Sequence, residues 1–405
     1  MKKQLKYKSL CIMISTISIF SLLFMISSCV VDSKESHIGE VVNSQKMIKT
    51  AETQITLPIL STKVPTLTLQ PKLVIDRRIQ MPDFNYSLTV TKDQKWAATI
   101  ISIYSKDADG KDHYEGDNIV VNDLKGPDSK GWQPLYSIND SYNKDILNLA
   151  FSPNDLYLAV ISEGEIWFFE TGNWEKRTRY RYSTWSPEFN WSPDSKGIAA
   201  QIVTNNYVLQ YLSVDGKLTP LLTRDEVFVE EEPFGDDKSI YSWGPAYSPD
   251  GKNILFGKYY SLRKYEVWTK NLATGEEKYL TDGKGPFIWS GDGRRFIYEW
   301  KGLRYFDLGI NNSTTISDEV YAWFFSAWSP NSKKIVVYNS RSSGLDPDIL
   351  SLIDVESGFS EVLMTNKMIL PYYWTSDNNL LATEREAGHT FLIWINPSNY
   401  QLKNY

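Results

Sequence analysis

From about residue 86 to the C-terminus the chain alternates short apolar runs with compact polar turns. Ile254-Leu255-Phe256, Phe296-Ile297-Tyr298, Ile335-Val336-Val337 and Leu380-Leu381-Ala382 are typical runs, each too short for a helix and bounded by turn-forming residues. Each follows a turn of one type. The clearest copies are Ala246-Tyr247-Ser248-Pro249-Asp250-Gly251-Lys252, Asn190-Trp191-Ser192-Pro193-Asp194-Ser195-Lys196 and Ala327-Trp328-Ser329-Pro330-Asn331-Ser332-Lys333. Ala150-Phe151-Ser152-Pro153-Asn154-Asp155 is a fourth, and Ile288-Trp289-Ser290-Gly291-Asp292-Gly293-Arg294 a fifth. Val90-Thr91-Lys92-Asp93-Gln94-Lys95 and Tyr373-Trp374-Thr375-Ser376-Asp377-Asn378 are degenerate copies at the two ends. The first turn position therefore falls at Thr91, Ser152, Ser192, Ser248, Ser290, Ser329 and Thr375, in steps of 61, 40, 56, 42, 39 and 46 residues.

The residue types have physical roles. An apolar residue ends one strand, Ser or Thr starts the turn, and Pro pre-sets the next dihedral. Asp or Asn fits the third position, and Gly or Asn tolerates a left-handed fourth. With the apolar run that follows, this is a β-hairpin. A third strand comes next, such as Glu165-Ile166-Trp167-Phe168-Phe169 or Tyr265-Glu266-Val267-Trp268, and a Gly turn at Gly172, Gly216, Gly275 or Gly358 often ends it. A fourth follows, as at Leu218 to Thr223 or Glu277 to Thr281. Four antiparallel strands per unit of about 40 residues describe a propeller blade. The expectation is an all-β β-propeller of seven four-stranded blades over residues 71–405. Six is the alternative if the weak first or last copy fails. In the last copy Phe391 to Ile395 reads as the third strand and Gln401 to Tyr405 as the fourth. Leu73-Val74-Ile75-Asp76 is then an extra strand that closes the ring against the last blade.

These turns resemble the TolB-type, WD-repeat-like propeller repeat, whose core pattern is Trp-Ser-Pro-Asp-Gly followed by an apolar strand. The resemblance runs from about Tyr86 to the C-terminus and implies a fold rather than an activity, because its defining residues are turn and core positions. The chain departs from TolB ahead of the blades, where no helix-alternating domain is visible, so TolB's own partner role does not carry over.

The N-terminus has another pattern. Lys2, Lys3, Lys6 and Lys8 precede an uncharged apolar or small stretch from Leu10 to Met25, which ends in Ile26-Ser27-Ser28-Cys29. That ending resembles a lipobox, the bacterial lipoprotein signal, which implies cleavage before Cys29 and acylation of its thiol; the alternative is an ordinary signal peptide with an incidental cysteine. The expected organisation is a signal peptide over 1–28, a flexible tether over 29–70 and the propeller over 71–405. Exported protein, held by lipid on the outer face of the cell membrane or on an outer membrane, is the expected location. Cys11 lies in the signal, so the mature chain would hold no disulfide and no cysteine–zinc site. Loss of the four signal lysines takes the formal charge from −6 to −10, which argues against a nucleic-acid partner and leaves the lipid as the membrane link.

Candidate chemistry is sparse. The three histidines, His37, His113 and His389, are too few and too scattered for a metal site, and no Gly-x-Ser-x-Gly elbow occurs. Asp107-Ala108-Asp109-Gly110-Lys111-Asp112 has carboxylates spaced as in a calcium loop, but the twelfth position is Asn118 where an EF-hand needs Glu. The acidic stretch from Asp225 to Asp237 reads as a solvated insertion, or a contact for a cation or basic partner. Trp191, Trp289, Trp328 and Trp374 share the position before the turn, where packing between blades is the expected role. Trp185, Trp243, Trp323 and Tyr372 precede the innermost strands, where aromatics would ring one mouth of the channel; packing under loops is the alternative. Glu188, Asp318 and Glu319 fall near the same mouth and would serve a glycosidase, which needs two facing carboxylates. The expected function is a non-enzymatic binding or scaffold module for a protein, peptide or glycan, with no cofactor. The rival is a glycosidase-like envelope hydrolase.

Overall fold

The computed structural model describes residues 75–82, 87–107, 109–126, 131–137, 146–162, 164–182, 189–202, 207–223, 244–261, 264–317, 326–339, 349–365 and 368–397. Residues 1–70, where a signal peptide and tether are expected, lie outside these. All regular elements among the described residues are strands, and they form seven four-stranded antiparallel sheets. Blades 1 to 6 occupy residues 88–137, 146–181, 189–223, 246–282, 284–317 and 326–365, each built from four consecutive strands. Seven, and not six, is the blade number.

The seventh blade is composite. Residues 369–395 supply three strands, and the fourth is Ile75–Gln80, from the start of the propeller. Its register places Ile75 opposite Ile395 and Gln80 opposite Phe391. The outermost place expected for Gln401 to Tyr405 is thus taken by a strand from the other end of the chain; residues 401–405 themselves lie outside the described residues. Arg77 and Arg78 hold this closing strand. The Arg77 guanidinium donates to the Leu124 carbonyl of blade 1 and lies 4.9 Å from the Trp394 ring centre. Arg78 sits 3.6 Å over the Phe391 ring and 3.3 Å from the Glu384 carboxylate.

The core lies between the blades. Each sheet is covered on both faces, so second strands such as Tyr157–Ser162 and Gly197–Ala200 are buried almost throughout. The buried apolar residues fall into seven clusters, one per blade boundary, including Leu381, Leu392 and Trp394 of blade 7 against Leu88, Val90 and Ala97 of blade 1. The outer strand Lys176–Arg181 instead keeps Lys176, Arg177, Arg179 and Arg181 exposed and half-buries only Thr178 and Tyr180, which blunts a free sheet edge.

Strand direction gives the disc two distinct ends. The turn from the first to the second strand and the turn from the third to the fourth lie at one end, called here the motif end. The hairpins from second to third strand, and the connections to the next blade, lie at the other, the variable end.

Candidate functional site

The motif end is built from repeated, self-satisfied turns. The hydroxyl at the first position donates to the carboxylate or amide oxygen at the third, at 2.6 to 2.8 Å, in Thr91–Asp93, Ser152–Asn154, Ser192–Asp194, Ser248–Asp250, Ser290–Asp292 and Ser329–Asn331. The fourth position has a positive φ in all seven copies: Gln94, Asp155, Ser195, Gly251, Gly293, Ser332 and Asn378. Small and polar residues recur there because bulkier ones tolerate that backbone poorly. The fourth position also ties neighbouring turns. Ser195 Oγ accepts from the Asn154 N–H and Ser332 Oγ from the Asp292 N–H, both at 3.1 Å, and Asp155 accepts from the N–H groups of Lys92 and Asp93. Hydrogen bonds from the Ser248 hydroxyl and the Lys252 N–H hold the Asp250 carboxyl below its usual range.

The tryptophans before the turn also join blades. The indole N–H of Trp191 donates to the Ala150 carbonyl at 3.0 Å, and that of Trp289 to the Ala246 carbonyl at 3.2 Å. Trp328 repeats the bond one blade further on. Trp191 and Trp328 are buried, Trp289 and Trp374 half-buried. The packing role expected for these residues is what the structure shows for the three that make the bond.

An open cavity of about 530 Å³ lies where the inner strands of blades 2 and 3, Ile146–Phe151 and Phe189–Trp191, reach the motif end. Phe151, Phe189 and Trp191 line it with the turn prolines Pro153, Pro193 and Pro249. Its polar groups serve the fold, since Asn190 Oδ1 accepts from the Tyr247 N–H at 3.3 Å. The lining offers apolar contact and no acid or base.

The carboxylates buried among the described residues are each held by a partner. Asp117 accepts from the Ser102 hydroxyl at 2.8 Å and from the Ile146 N–H, where blade 2 begins, at 2.9 Å. Glu165 takes two bonds from Arg179, at 2.8 and 2.6 Å, and one from the Trp167 indole. Glu266 accepts from the Trp268 indole, Asp307 is clamped by Arg294 and Arg295, and Lys284 lies 3.2 Å from Glu299. These groups brace blades. Glu188, Asp318 and Glu319, the carboxylates a glycosidase would use, lie outside the described residues.

At the tip of the long blade 1 hairpin, Asp107 Oδ1 accepts from the N–H groups of Asp109 and Lys111, and Oδ2 lies 2.7 Å from His113 Nε2. The His113 bond comes first among the causes that hold the Asp107 carboxyl below its usual range. Both oxygens of this calcium candidate are engaged in shaping the turn.

Of the four expected rim aromatics, Trp185, Trp243 and Trp323 lie outside the described residues, as does the acidic stretch from Asp225 to Asp237. Tyr372, expected ahead of the innermost strand, instead lies within it, in Ile369–Trp374 of blade 7, half-buried against the apolar clusters on both sides of that blade.

The sequence matches no protein-family model and no curated protein. Solved structures are similar in fold. One is a chain in a crystal structure of a mitotic checkpoint complex, 12% identical, covering 86% of this chain and 98% of that one, TM-score 0.53. Another is the Cps50 (Swd1) β-propeller domain of Myceliophteria thermophila, also 12% identical, covering 78% and 98%, TM-score 0.51. A putative TolB from Agrobacterium tumefaciens is 18% identical over 66% of this chain and 95% of that one, TM-score 0.41. Topology, inter-blade core and fold likeness define the class: the protein is a seven-bladed β-propeller. Within that class, its blades are marked by the Ser/Thr-x-Asp/Asn turn whose first-position hydroxyl bonds to the third residue.

Proposed function

We propose that the protein is a cell-envelope lipoprotein, acylated at Cys29, whose propeller is a non-enzymatic binding or scaffold module for a protein, peptide or glycan. One observation carries the binding reading: the irregularity of the chain is concentrated at the variable end. The motif turns keep one geometry, whereas the chain leaves blade 3 at Thr223 and re-enters at Ala246, and leaves blade 5 at Ser317 and re-enters at Ser326. Other connections are of different lengths, seven residues from Arg181 to Phe189 and one from Asp282 to Lys284. Connections of unequal length converging on one channel mouth are how a symmetric scaffold acquires an asymmetric binding surface. Trp185, Trp243 and Trp323 fall in three of them and form the proposed rim, while Tyr372 is packed within the inner strand of blade 7.

The test pairs a binding measurement with a stability measurement. The full chain is used as bait against envelope extract and on a glycan array, together with alanine variants at Trp185, Trp243, Trp323 and Tyr372. Lost binding with unchanged melting is the expected result for the three tryptophans. Variants that melt much lower while binding in proportion to folded protein would make these residues core. Labelled palmitate should enter the wild-type chain and not Cys29→Ala; incorporation that persists in the variant overturns the anchor.

A further inference from the structure

We propose that the motif end of the propeller is a membrane-docking face, which seats apolar turn tips in a phospholipid surface. The inference rests on acylation of Cys29 only for how the protein is brought to the bilayer. Four of the seven exposed large apolar side chains among the described residues lie on turns at this end: Leu156 at 58%, Leu308 at 37%, Ile310 at 64% and Phe359 at 66%. Leu156 belongs to the motif turn of blade 2. Leu308 and Ile310 lie in the turn from third to fourth strand of blade 5, and Phe359 at the same turn of blade 6. Blades 2 and 5 are separated by two others on the short way round the ring, so the tips bracket the channel axis and address a plane rather than a groove.

The fold does not need these side chains. The blade 6 turn is made by Asp354, whose Oδ1 accepts from the N–H groups of Glu356 and Ser357 at 3.2 and 2.9 Å, and by Gly358 at φ 71°. Residue 359 could be polar without loss to the turn. Apolar residues placed at tips, where polar ones would do, are a signature of insertion into an interface.

Charges beside the blade 5 and 6 tips are paired. Arg294 adjoins the blade 5 tip, since its carbonyl accepts from the Leu308 N–H at 3.0 Å, and Lys333 adjoins the blade 6 turn through the Val355 N–H at 2.9 Å. The Arg294 and Lys333 side chains are more than half exposed. Asp307 is clamped by Arg294 and Arg295, and Glu356 lies 3.6 Å from Lys333. The tips therefore meet headgroups with little net repulsion, and the attraction is apolar.

The path of the chain favours a bilayer as the occupant. Ile75 starts the closing strand opposite Ile395, which ends the third strand of blade 7 at the motif end. The described chain thus enters the propeller at the same end as the apolar tips.

The test uses acylated full chain on phosphatidylethanolamine–phosphatidylglycerol vesicles. An environment-sensitive dye is attached at Ile310→Cys, Phe359→Cys or Tyr104→Cys, one position at a time; Tyr104 is exposed on the hairpin at the opposite end. Blue-shifted emission and quenching by spin-labelled lipid at 310 and 359, and neither at 104, are expected. Unacylated Cys29→Ala chain should partition weakly into the same vesicles. That partition should fall about tenfold on Phe359→Ser and change little with salt. Water-like emission at 310 and 359 on vesicles that retain the acylated chain overturns the docking face and spares the anchor. Palmitate labelling that persists in Cys29→Ala, together with intact partition of that variant, overturns the anchor and spares the face.

Discussion

The indole N–H of Trp328 donates to the backbone carbonyl of Ile288 at 3.0 Å, across the boundary between blades 5 and 6. Trp328 is 7% exposed and packs in the cluster that fills this boundary, with Ile335 and Val337 of its own blade and Ile297 of the previous one. Trp328→Phe keeps most of the apolar volume but leaves a carbonyl without its donor, and should cost about 1–2 kcal/mol. Trp328→Ala also opens a cavity and should cost about 3–5 kcal/mol. Urea titrations of both variants check the order; equal losses would mean the hydrogen bond contributes nothing.

Gly283 is the single residue between blades 4 and 5, with φ at 143°. A Cβ there would lie 2.5 Å from the Tyr298 ring and 2.8 Å from the Glu299 carbonyl oxygen. The backbone oxygen cannot swing aside as a flexible side chain would. Gly283→Ala should destabilise by at least about 2 kcal/mol, whereas Gly275→Ala, in an open turn, should cost about 1 kcal/mol from its left-handed backbone alone. Thermal melting of the two variants separates crowding from conformational strain.

Two carboxylates should give opposite pH dependence. Burial tends to raise the Asp307 carboxyl, but bonds from Arg295, Arg294 and the Gly309 N–H outweigh it, so the folded value is lowered. The stability it contributes is present above the unfolded aspartate value and is lost as pH falls through the folded one. Asp307→Asn should therefore flatten the acid limb of the stability curve at and below the ordinary aspartate range. Burial raises Glu299, with Lys284 only partly opposing. Its contribution is present below the unfolded glutamate value and is lost as pH rises through the higher folded value. Glu299→Gln should thus be better tolerated at pH 7 than at pH 4. Denaturation curves of both variants at several pH values check the signs.

The ring closure can be weakened at one residue. Arg78 stacks on Phe391 and neutralises Glu384, whose side chain is 1% exposed, while Arg78 itself is about one-third exposed. Arg78→Ala should cost about 1–3 kcal/mol, discounted for that exposure. It should also raise the amide exchange of Phe391 to Ile395 above that of the inner strands of blades 2 and 3. Exchange that rises equally in all blades would show that closure is no more labile than the rest of the ring.

The repeat was legible because the turn imposes residue types that cannot be hidden: a hydroxyl to reach the third position, and a fourth residue able to take positive φ at Ser195 or Gly251. The packing role of Trp191 and Trp328 followed from their constant offset. The composite seventh blade was only half legible. Ile75-Asp76-Arg77-Arg78-Ile79-Gln80 alternates half-buried and exposed positions and carries two arginines, so its apolar signal is weak. Nothing local ties it to a partner more than 300 residues away. The buried carboxylates were illegible for another reason. Glu165 and Asp307 look like ordinary surface charges in sequence, and only the fold shows the arginines that meet them.

The closing strand also dictates a timetable. Residues 75–80 leave the ribosome before any blade exists, and their hydrogen-bonding partner, residues 391–395, is among the last to appear. During synthesis the chain therefore carries an unsatisfied strand at the front of the propeller and, until the strand His389–Ile395 pairs with it, an unsatisfied sheet edge at the back. Such exposed edges invite pairing between neighbouring copies. The pairing that completes the circle spans the longest loop in the molecule, so it is slow by its nature. A truncation that removes only the last strand of the propeller would leave both edges permanently open, and newly made chains would then find each other instead of themselves.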